Sequence, residues 1–260
     1  MTRSAVRDAL LAAGIAFAAA AVVTLWLSRP AEGQADPLTR GRELYVTGCS
    51  SCHGANGEGV TTSDDKHRGP SLQNAGEAAA YYELATGRMP LTNSDEQPER
   101  KRPAYKDEDI AALTAYVGSL GNGPKLPDVS VANTDLAAGG ELFRANCAPC
   151  HSASGAGGAL SYGRAAPSLG GATPAEVAAA VRSGPSEMPT FGADVLSPSQ
   201  VNNIAAYVQY LRAPQDPGGL PIGRIGPVPE GFVAWFFGAG ALLLIVFWIG
   251  TRSPAKGESS

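Results

Sequence analysis

The residues of this chain that are best suited to chemistry lie in two copies of one motif, C-x-x-C-H. The copies run from Cys49 to His53 and from Cys147 to His151, and together they use all four cysteines and two of the three histidines. On a short helix, positions i, i+3 and i+4 share a face, so the two thiols and the imidazole of each copy point the same way. The motif is the attachment signature of c-type haem. We therefore predict two covalently bound haem c groups, attached through Cys49, Cys52, Cys147 and Cys150, with His53 and His151 as iron ligands.

Two other roles are open to paired cysteines. A C-x-x-C pair can form a redox-active disulfide, but this role leaves the histidine after each pair unexplained. Two such pairs can also share one zinc ion, yet the copies lie far apart in the chain and zinc would not select a trailing histidine in both. Haem attachment accounts for all three residues of each motif and is the preferred interpretation.

The composition limits the classes of partner. The chain has 260 residues and a formal net charge of −4, with no basic cluster, which argues against nucleic acid and anionic lipid surfaces as partners. Its 32 glycines and 20 prolines are fewer than disordered chains usually carry. The length suits one or two domains, and a buried porphyrin would supply much of the apolar surface of each.

The surroundings of the motif also occur twice in the same order. A helix precedes each copy, a glycine-rich loop follows it, and a helix with an apolar stripe closes the repeat. This repeat indicates a duplicated domain, with domain 1 over residues 36–121, a linker over 122–135 and domain 2 over 136–213. The matched residues are Glu43-Leu44-Tyr45 with Glu141-Leu142-Phe143, Pro70 with Pro167, Met89 with Met188, and Ile110, Leu113, Tyr116 and Val117 with Val201, Ile204, Tyr207 and Val208.

An uncharged segment, Ala9 to Leu27, lies near the N-terminus and follows Arg3 and Arg7. A positive flank before an apolar run is typical of an export signal or of a membrane anchor that starts inside the cell. Small residues before Ala35 would allow cleavage there. Residues 1–35 are therefore expected to be a cleaved signal or a retained anchor, and the sequence leaves both open.

A second apolar run, Phe232 to Gly250, has Trp235 and Trp248 near its ends, where indoles act as interfacial anchors. A buried core helix is the alternative, but nothing globular remains for the run to pack against. We predict a linker over 214–230, a transmembrane helix over 231–251 and a cytoplasmic tail over 252–260. The haem domains would then lie on the outer side of the cell membrane, and the chain would be multi-pass if the N-terminal segment is retained.

The repeated motifs resemble class I cytochrome c domains over about Leu38 to Leu211. The resemblance implies an all-α fold: two tandem cytochrome c-like domains, each a wrap of helices around one haem, between an N-terminal hydrophobic segment and a C-terminal transmembrane helix. It also implies that Met89 and Met188 are the distal iron ligands. The carbonyls of Pro70 and Pro167 would accept a hydrogen bond from Nδ1 of each ligating histidine, which fixes the orientation of the ring.

Alternative roles exist for the methionines and for one histidine. An isolated methionine is often a core filler, but the matched positions of Met89 and Met188, each before a proline, favour ligation. His67 is a rival axial ligand for the first haem, but it lacks a counterpart in domain 2 and is expected at the surface. His/Met ligation closes both axial positions of the iron, which favours electron transfer over substrate chemistry, so no catalytic residue is expected.

Two further features of the repeats are open to two interpretations each. Tyr116 and Tyr207 on the closing helices would pack against the haem edge, as in the family, or would belong to the ordinary core. The charged loop Thr92 to Lys106 has no equivalent of its length in domain 2. It would be an exposed insertion or a docking surface for a partner subunit.

The layout as a whole resembles the dihaem cytochrome c subunits of actinobacterial cytochrome bcc complexes, which are menaquinol–cytochrome c reductases. The similar segments are Arg88-Met89-Pro90, Gly139-Gly140-Glu141-Leu142-Phe143, Gly157-Gly158-Ala159-Leu160 and Gly226-Pro227-Val228-Pro229-Glu230-Gly231. The resemblance implies a subunit that takes electrons from the Rieske iron–sulfur protein and passes them to cytochrome c oxidase in a supercomplex. Its partners would be the cytochrome b and Rieske subunits, the oxidase and membrane lipid. A dihaem subunit of another membrane oxidase or dehydrogenase, and a dihaem peroxidase with an open axial position, are the alternatives.

Overall fold

The computed structural model describes residues 13–24, 36–63, 67–93, 97–213 and 227–252, and helices dominate these ranges. Each domain has a long helix before its motif, a one-turn helix within the motif, a middle helix and a closing helix. The helices are α1 (Ala13–Thr24), α2 (Pro37–Gly48), α3 (Ser50–His53), α4 (Gly76–Ala85), α5 (Asp107–Ser119), α6 (Leu136–Asn146), α7 (Ala148–His151), α8 (Pro174–Ser183), α9 (Pro198–Arg212) and α10 (Pro227–Arg252).

The fold is rich in helices, as the all-α expectation required, and it adds a small feature that was not predicted. Each glycine-rich loop contains a short antiparallel ribbon, which pairs β1 (Val60–Thr61) with β2 (His67–Gly69) in domain 1 and β3 (Gly158–Ala159) with β4 (Ala165–Ala166) in domain 2. Strands of two or three residues are too short to show an alternating pattern of apolar and polar residues. For this reason these strands could not be predicted from the sequence.

Local side-chain chemistry explains where several helices begin. Asp36 accepts a hydrogen bond from the backbone N–H of Thr39 at the start of α2, and Asp135 does the same for Ala138 at the start of α6. The helices α8 and α9 each begin with a reciprocal capping box and a proline in the first turn. These groups satisfy backbone N–H donors that have no partner within the helix.

The first and last helices of each domain cross at a glycine. A Cβ atom on Gly41 of α2 would lie 2.1 Å from the carbonyl oxygen of Ala112 in α5, and one on Gly139 of α6 would lie 2.2 Å from that of Asn203 in α9. Only a residue without a side chain allows the two backbones to approach this closely. The crossings place Tyr45 and Phe143, both 0% exposed, in the cores of their domains.

The two domains pack together through equivalent helices. Tyr82 of α4 packs against Ala179 and Ala180 of α8, and these three residues form a small buried cluster between the domains. The linker is also bound to the helices on both sides. Leu126 donates its N–H to Glu77 Oε2 at 3.2 Å, and Asp135 donates its N–H to Asn203 Oδ1 at 3.0 Å.

One helix among the described residues is long and apolar enough to cross a membrane. It covers Glu230–Arg252, has a mean hydropathy of 2.4 and has no part buried against the rest of the protein. The helix α1 is apolar but shorter. The ends of the N-terminal segment Ala9 to Leu27, the expected cleavage point at Ala35, most of the linker 214–230 and the tail after Arg252 lie outside the described residues.

Candidate functional site

A cavity in domain 1 brings together the predicted residues of the first haem site. Cys49, Cys52 and His53 line it on one side, Met89 lies in its wall, and the Gly69-Pro70 segment completes it. The one-turn helix α3 holds Cys52 and His53, and Cys49 occupies the position before its first residue. The cavity therefore joins two thiols, an imidazole and a thioether that come from two segments of the chain.

The His53 ring is held by the backbone. Its Nδ1 lies 2.8 Å from the carbonyl oxygen of Pro70, and because a carbonyl can only accept, Nδ1 carries the proton and Nε2 keeps its lone pair. Gly69 passes so close to the ring that a Cβ atom there would lie 3.1 Å from His53 Cε1 and 2.6 Å from the Cys52 carbonyl oxygen. The free Nε2 is the nitrogen that can ligate iron.

Domain 2 repeats this arrangement. Cys147, Cys150, His151 and Met188 line a second cavity, and His151 Nδ1 donates to the carbonyl oxygen of Pro167 at 2.9 Å. Burial lowers the pKa of His151, while the hydrogen bond to Pro167 acts in the opposite direction. The net effect favours the neutral imidazole, which is the form that binds a metal.

The loop after each motif closes with matching backbone hydrogen bonds. Gly59 donates its N–H to the carbonyl of His53 at 2.7 Å, and Gly157 donates to that of His151 at 2.9 Å. The loop glycines Gly54, Gly57, Gly59, Gly155 and Gly157 have positive φ angles, which glycine adopts without steric cost. The residue of domain 2 that matches Gly54 is Ser152, whose φ is 62°.

All four cysteines are described, and none forms a disulfide. Burial raises the pKa of the Cys49 thiol, and burial together with the nearby Cys150 raises the pKa of Cys147 to about 11. Among the described residues no group of three or more His, Cys, Asp and Glu side chains is arranged to hold a metal ion. Neither the disulfide nor the shared zinc site therefore gains support.

Both methionines lie half-buried in loops that the adjacent helices hold in place. Met89 donates its backbone N–H to the carbonyl of Glu83 at 3.1 Å, and Met188 donates to that of Pro185 at 3.0 Å. In domain 2, the buried guanidinium of Arg182 also donates to the carbonyls of Phe191 and Gly192, at 2.8 and 2.9 Å. Each thioether is therefore positioned as part of a cavity wall.

The residues present fit haem c. Each cavity contains two thiols for covalent attachment, an imidazole whose Nε2 is free and a thioether, and most of its exposed lining is apolar. This donor set matches the His/Met ligation found in cytochromes c.

Residues from each domain also line the cavity of the other, which the sequence did not reveal. Arg164 of domain 2 lines the first cavity. Pro98 lies in the walls of both cavities, so the two are neighbours. The domain 1 residues in the wall of the second cavity are Tyr82, Arg88, Gln97, Pro98 and Arg100.

The described part of the Thr92 to Lys106 loop contacts domain 2. The Gln97 side chain forms two hydrogen bonds with the backbone of Ala165, at 2.8 and 3.0 Å, and Arg100 forms an ion pair with Glu176. Residues 99–104 and 106 are exposed, as expected for an insertion, but Gln97 and Arg100 also attach this part of the loop to domain 2. Sequence patterns could not show the contact because Gln97 and Arg100 resemble ordinary surface residues.

Tyr116 and Tyr207 lie at the helix crossings and line neither cavity. The Tyr116 ring centroid is 5.1 Å from that of Tyr45, and the Tyr207 centroid is 5.4 Å from that of Phe143. Of the two interpretations, the structure favours the core. The side chain of His67 lies outside the described part of the chain, so its expected surface position stays a prediction.

Two family models match the chain, one in each domain. The model described as cytochrome c matches residues 38–121. The model described as cytochrome c oxidase, cbb3-type, subunit III matches residues 134–208.

Relatives that are similar over most of their length all carry one description, cytochrome bc1 complex cytochrome c subunit. The protein of Mycobacterium leprae is 42% identical over 224 residues, which cover 83% of this chain and 76% of that protein. The protein of Mycobacterium tuberculosis H37Rv is also 42% identical, over 83% and 78% of the two chains. The protein of Corynebacterium diphtheriae is 39% identical over 233 residues, which cover 83% and 81%.

Proposed function

Since the chain belongs to the family of cytochrome c subunits of the cytochrome bc1 complex, we propose that it is a dihaem electron relay of a quinol–cytochrome c reductase. In this proposal it accepts electrons from the Rieske iron–sulfur subunit and passes them to cytochrome c oxidase within a supercomplex. It assembles with the cytochrome b and Rieske subunits, and it has no substrate chemistry of its own.

The observation that carries this proposal is the pair of adjoining cavities. Each contains a full set of attachment and ligating groups, and they share Pro98 as a common wall. Electron transfer over short distances needs two redox centres held close together and does not need an open coordination position. If Met89 and Met188 ligate the irons as proposed, neither site would offer an open coordination position, which favours a relay over a peroxidase.

When bound, haem c would supply a reversible one-electron iron couple. The chain has three tasks around it. Cysteines 49, 52, 147 and 150 would hold the porphyrin covalently, while His53 and His151 are oriented by the proline carbonyls, so that each Nε2 faces its cavity. Met89 and Met188 would each supply a thioether ligand to an iron, which favours electron transfer over substrate chemistry.

The C-terminal helix supports a location at the cell membrane. The segment Glu230–Arg252 has none of its apolar window buried within the described protein, and it has the length and hydropathy of a membrane span. In the proposed orientation Arg252 lies at the cytoplasmic end, and the haem domains lie on the outer side. A membrane tether keeps both haems at high effective concentration near their partners, as a diffusing carrier does not.

The assembly is tested by affinity purification of the full chain in mild detergent. We expect cytochrome b, the Rieske protein and oxidase subunits in the eluate, and a mass increase equal to two haem groups on this chain. Isolation with an oxidase but without cytochrome b and Rieske subunits would refute the proposed complex. A rapid high-spin optical shift with cyanide or peroxide at one haem would instead favour the peroxidase.

The role of α10 is tested by a stop codon directly before Pro227. If this helix anchors the protein, the truncated chain leaves the membrane fraction, whereas the full chain remains there after a carbonate wash. A substitution of the exposed Lys106 serves as the control, since it should not change fractionation. If the truncated chain stayed fully membrane-bound after the carbonate wash, α10 would not be the sole anchor and the N-terminal segment would be retained.

A further inference from the structure

Arg88 is a buried cation in the wall of the second cavity, although it belongs to domain 1. Its side chain is only 7% exposed, and it lines the cavity that holds Cys147, His151 and Met188. Within the described part of the chain, its Nη1 atom is fully buried and has no hydrogen-bond partner. The next residue, Met89, lies in the wall of the first cavity.

Within the described residues Arg88 has no ion-pair partner. Its charge does act on the buried Glu83, where burial raises the pKa of the carboxyl and Arg88 acts in the opposite direction. The guanidinium carbon lies 4.8 Å from the centre of the Tyr82 ring, which gives a cation–π contact. Glu83 is close in sequence, but the two side chains form no ion pair in the part of the protein that is described, and Glu83 Oε2 also lacks a hydrogen-bond partner. The other arginine of domain 1 in this wall, Arg100, is paired with Glu176.

A buried guanidinium with a free N–H group requires an anion, because an unpaired charge away from water costs several kcal/mol. The orphaned donor lies in the wall of a cavity lined by the second haem-attachment motif. The anionic groups of a haem are its two propionate carboxylates. A planar guanidinium suits a carboxylate because it can donate two parallel hydrogen bonds.

We propose that Arg88 binds a propionate carboxylate of the haem attached in domain 2, so that domain 1 contributes a binding residue to the second haem site. This inference rests on the proposed function, in which the second cavity holds a covalent haem. Adjacent residues of one loop then serve both sites: Arg88 the second haem and Met89 the first iron. The loop couples the electrostatic environments of the two haems.

The test is a redox titration of the full chain with Arg88→Gln, in which the two haem potentials are resolved. Met188→Ala, which alters the second site, assigns the two transitions. We expect the potential of the second haem to fall, because the uncompensated carboxylate stabilises the ferric state, and to fall more than that of the first. Arg88→Lys keeps the charge and should restore part of the potential.

Arg102→Gln is the matched control, since it removes the same charge from an exposed position of the same segment. A shift confined to the first haem, or an equal shift in the control, would overturn the proposal. Selective loss of the second haem from Arg88→Gln would support it. If Arg88→Gln does not fold, Arg88→Met takes its place, because methionine keeps a long side chain and removes the charge. An unchanged second potential in that variant contradicts the proposal. A wild-type mass showing one haem, in contrast, would refute the proposed function itself.

Discussion

The two histidines show how one backbone carbonyl can determine the chemistry of a side chain. Proline at positions 70 and 167 lacks an N–H group and restricts the backbone, and its carbonyl accepts the Nδ1 proton of His53 or His151, at 2.8 and 2.9 Å. The hydrogen bond fixes the tautomer and leaves Nε2 free. The same bond is present in both domains, at a proline that follows each motif at nearly the same distance.

The methionine ligands are tested one domain at a time. Met89→Ala and Met188→Ala should each lower the potential of one haem and open that iron to cyanide, because His/Met ligation raises the haem potential and the thioether closes the axial position. Thioether attachment should persist, since the cysteines are untouched. Redox titration and cyanide difference spectra provide the measurement. A native spectrum and potential in either variant would show that its methionine is not the ligand.

At the scale of elements, the crossing of the first and last helices determines the core of each domain. Glycine at positions 41 and 139 lets the backbones come into contact, and the aromatic residue four positions later fills the space beside the crossing. Tyr45 also donates a hydrogen bond to the carbonyl of Gly54, at 2.7 Å, and so links the crossing to the loop after the motif. Burial raises the pKa of this phenol to about 12, which keeps it a donor at neutral pH.

Gly139→Ala tests the crossing in domain 2. The new methyl group would collide with the Asn203 carbonyl, so the helices must separate, and we expect the free energy of unfolding to fall by about 1–3 kcal/mol. Urea titration of the haem-loaded chain, followed by the haem absorbance, measures the change. Gly171→Ala is the control, because a Cβ atom there meets nothing within 4 Å. Equal stability of the two variants would mean that the close crossing is not required.

At the scale of the whole molecule, the two domains meet as equivalent copies do in a symmetric dimer. The helices α4 and α8 are the middle helices of their domains, and each precedes the methionine of its domain. They form the centre of the interface between the domains. Glu176 has two roles there. It caps the start of α8 through the Thr173 N–H at 2.8 Å, and it pairs with Arg100 from the domain 1 loop. The loop thus fixes one domain against the other.

Arg100→Gln should weaken this interface. Glu176 is 6% exposed in its side chain and would keep a buried charge without its cationic partner, whereas the Arg100 side chain is 40% exposed. The partial exposure of Arg100 reduces the expected loss to about 1–2 kcal/mol. Lys106→Gln is the control, since its pair with Glu108 is 81% and 71% exposed and should contribute less than about 0.5 kcal/mol. Denaturant unfolding and proteolysis within the 97–106 loop would detect the difference, and equal curves would contradict the proposed role.

The sequence by itself determined the features that depend on neighbours along the chain. Haem attachment follows from the i, i+3, i+4 spacing of Cys49, Cys52 and His53, and the apolar length of the C-terminal segment gives the candidate membrane span. The repeat paired Met89 with Met188. Each of these features can be recognised from residues that are close together in the sequence, without knowledge of how distant segments pack.

Only the tertiary structure decided how the two copies relate. Arg88, Gln97 and Arg100 have no periodic pattern that marks them, and their partners lie in another domain, so their roles depend on which surfaces pack together. The same holds for Gly41 and Gly139, where a side chain would collide with the backbone of a helix that is distant in sequence. Packing between segments far apart in sequence brought the two cavities to a shared wall at Pro98.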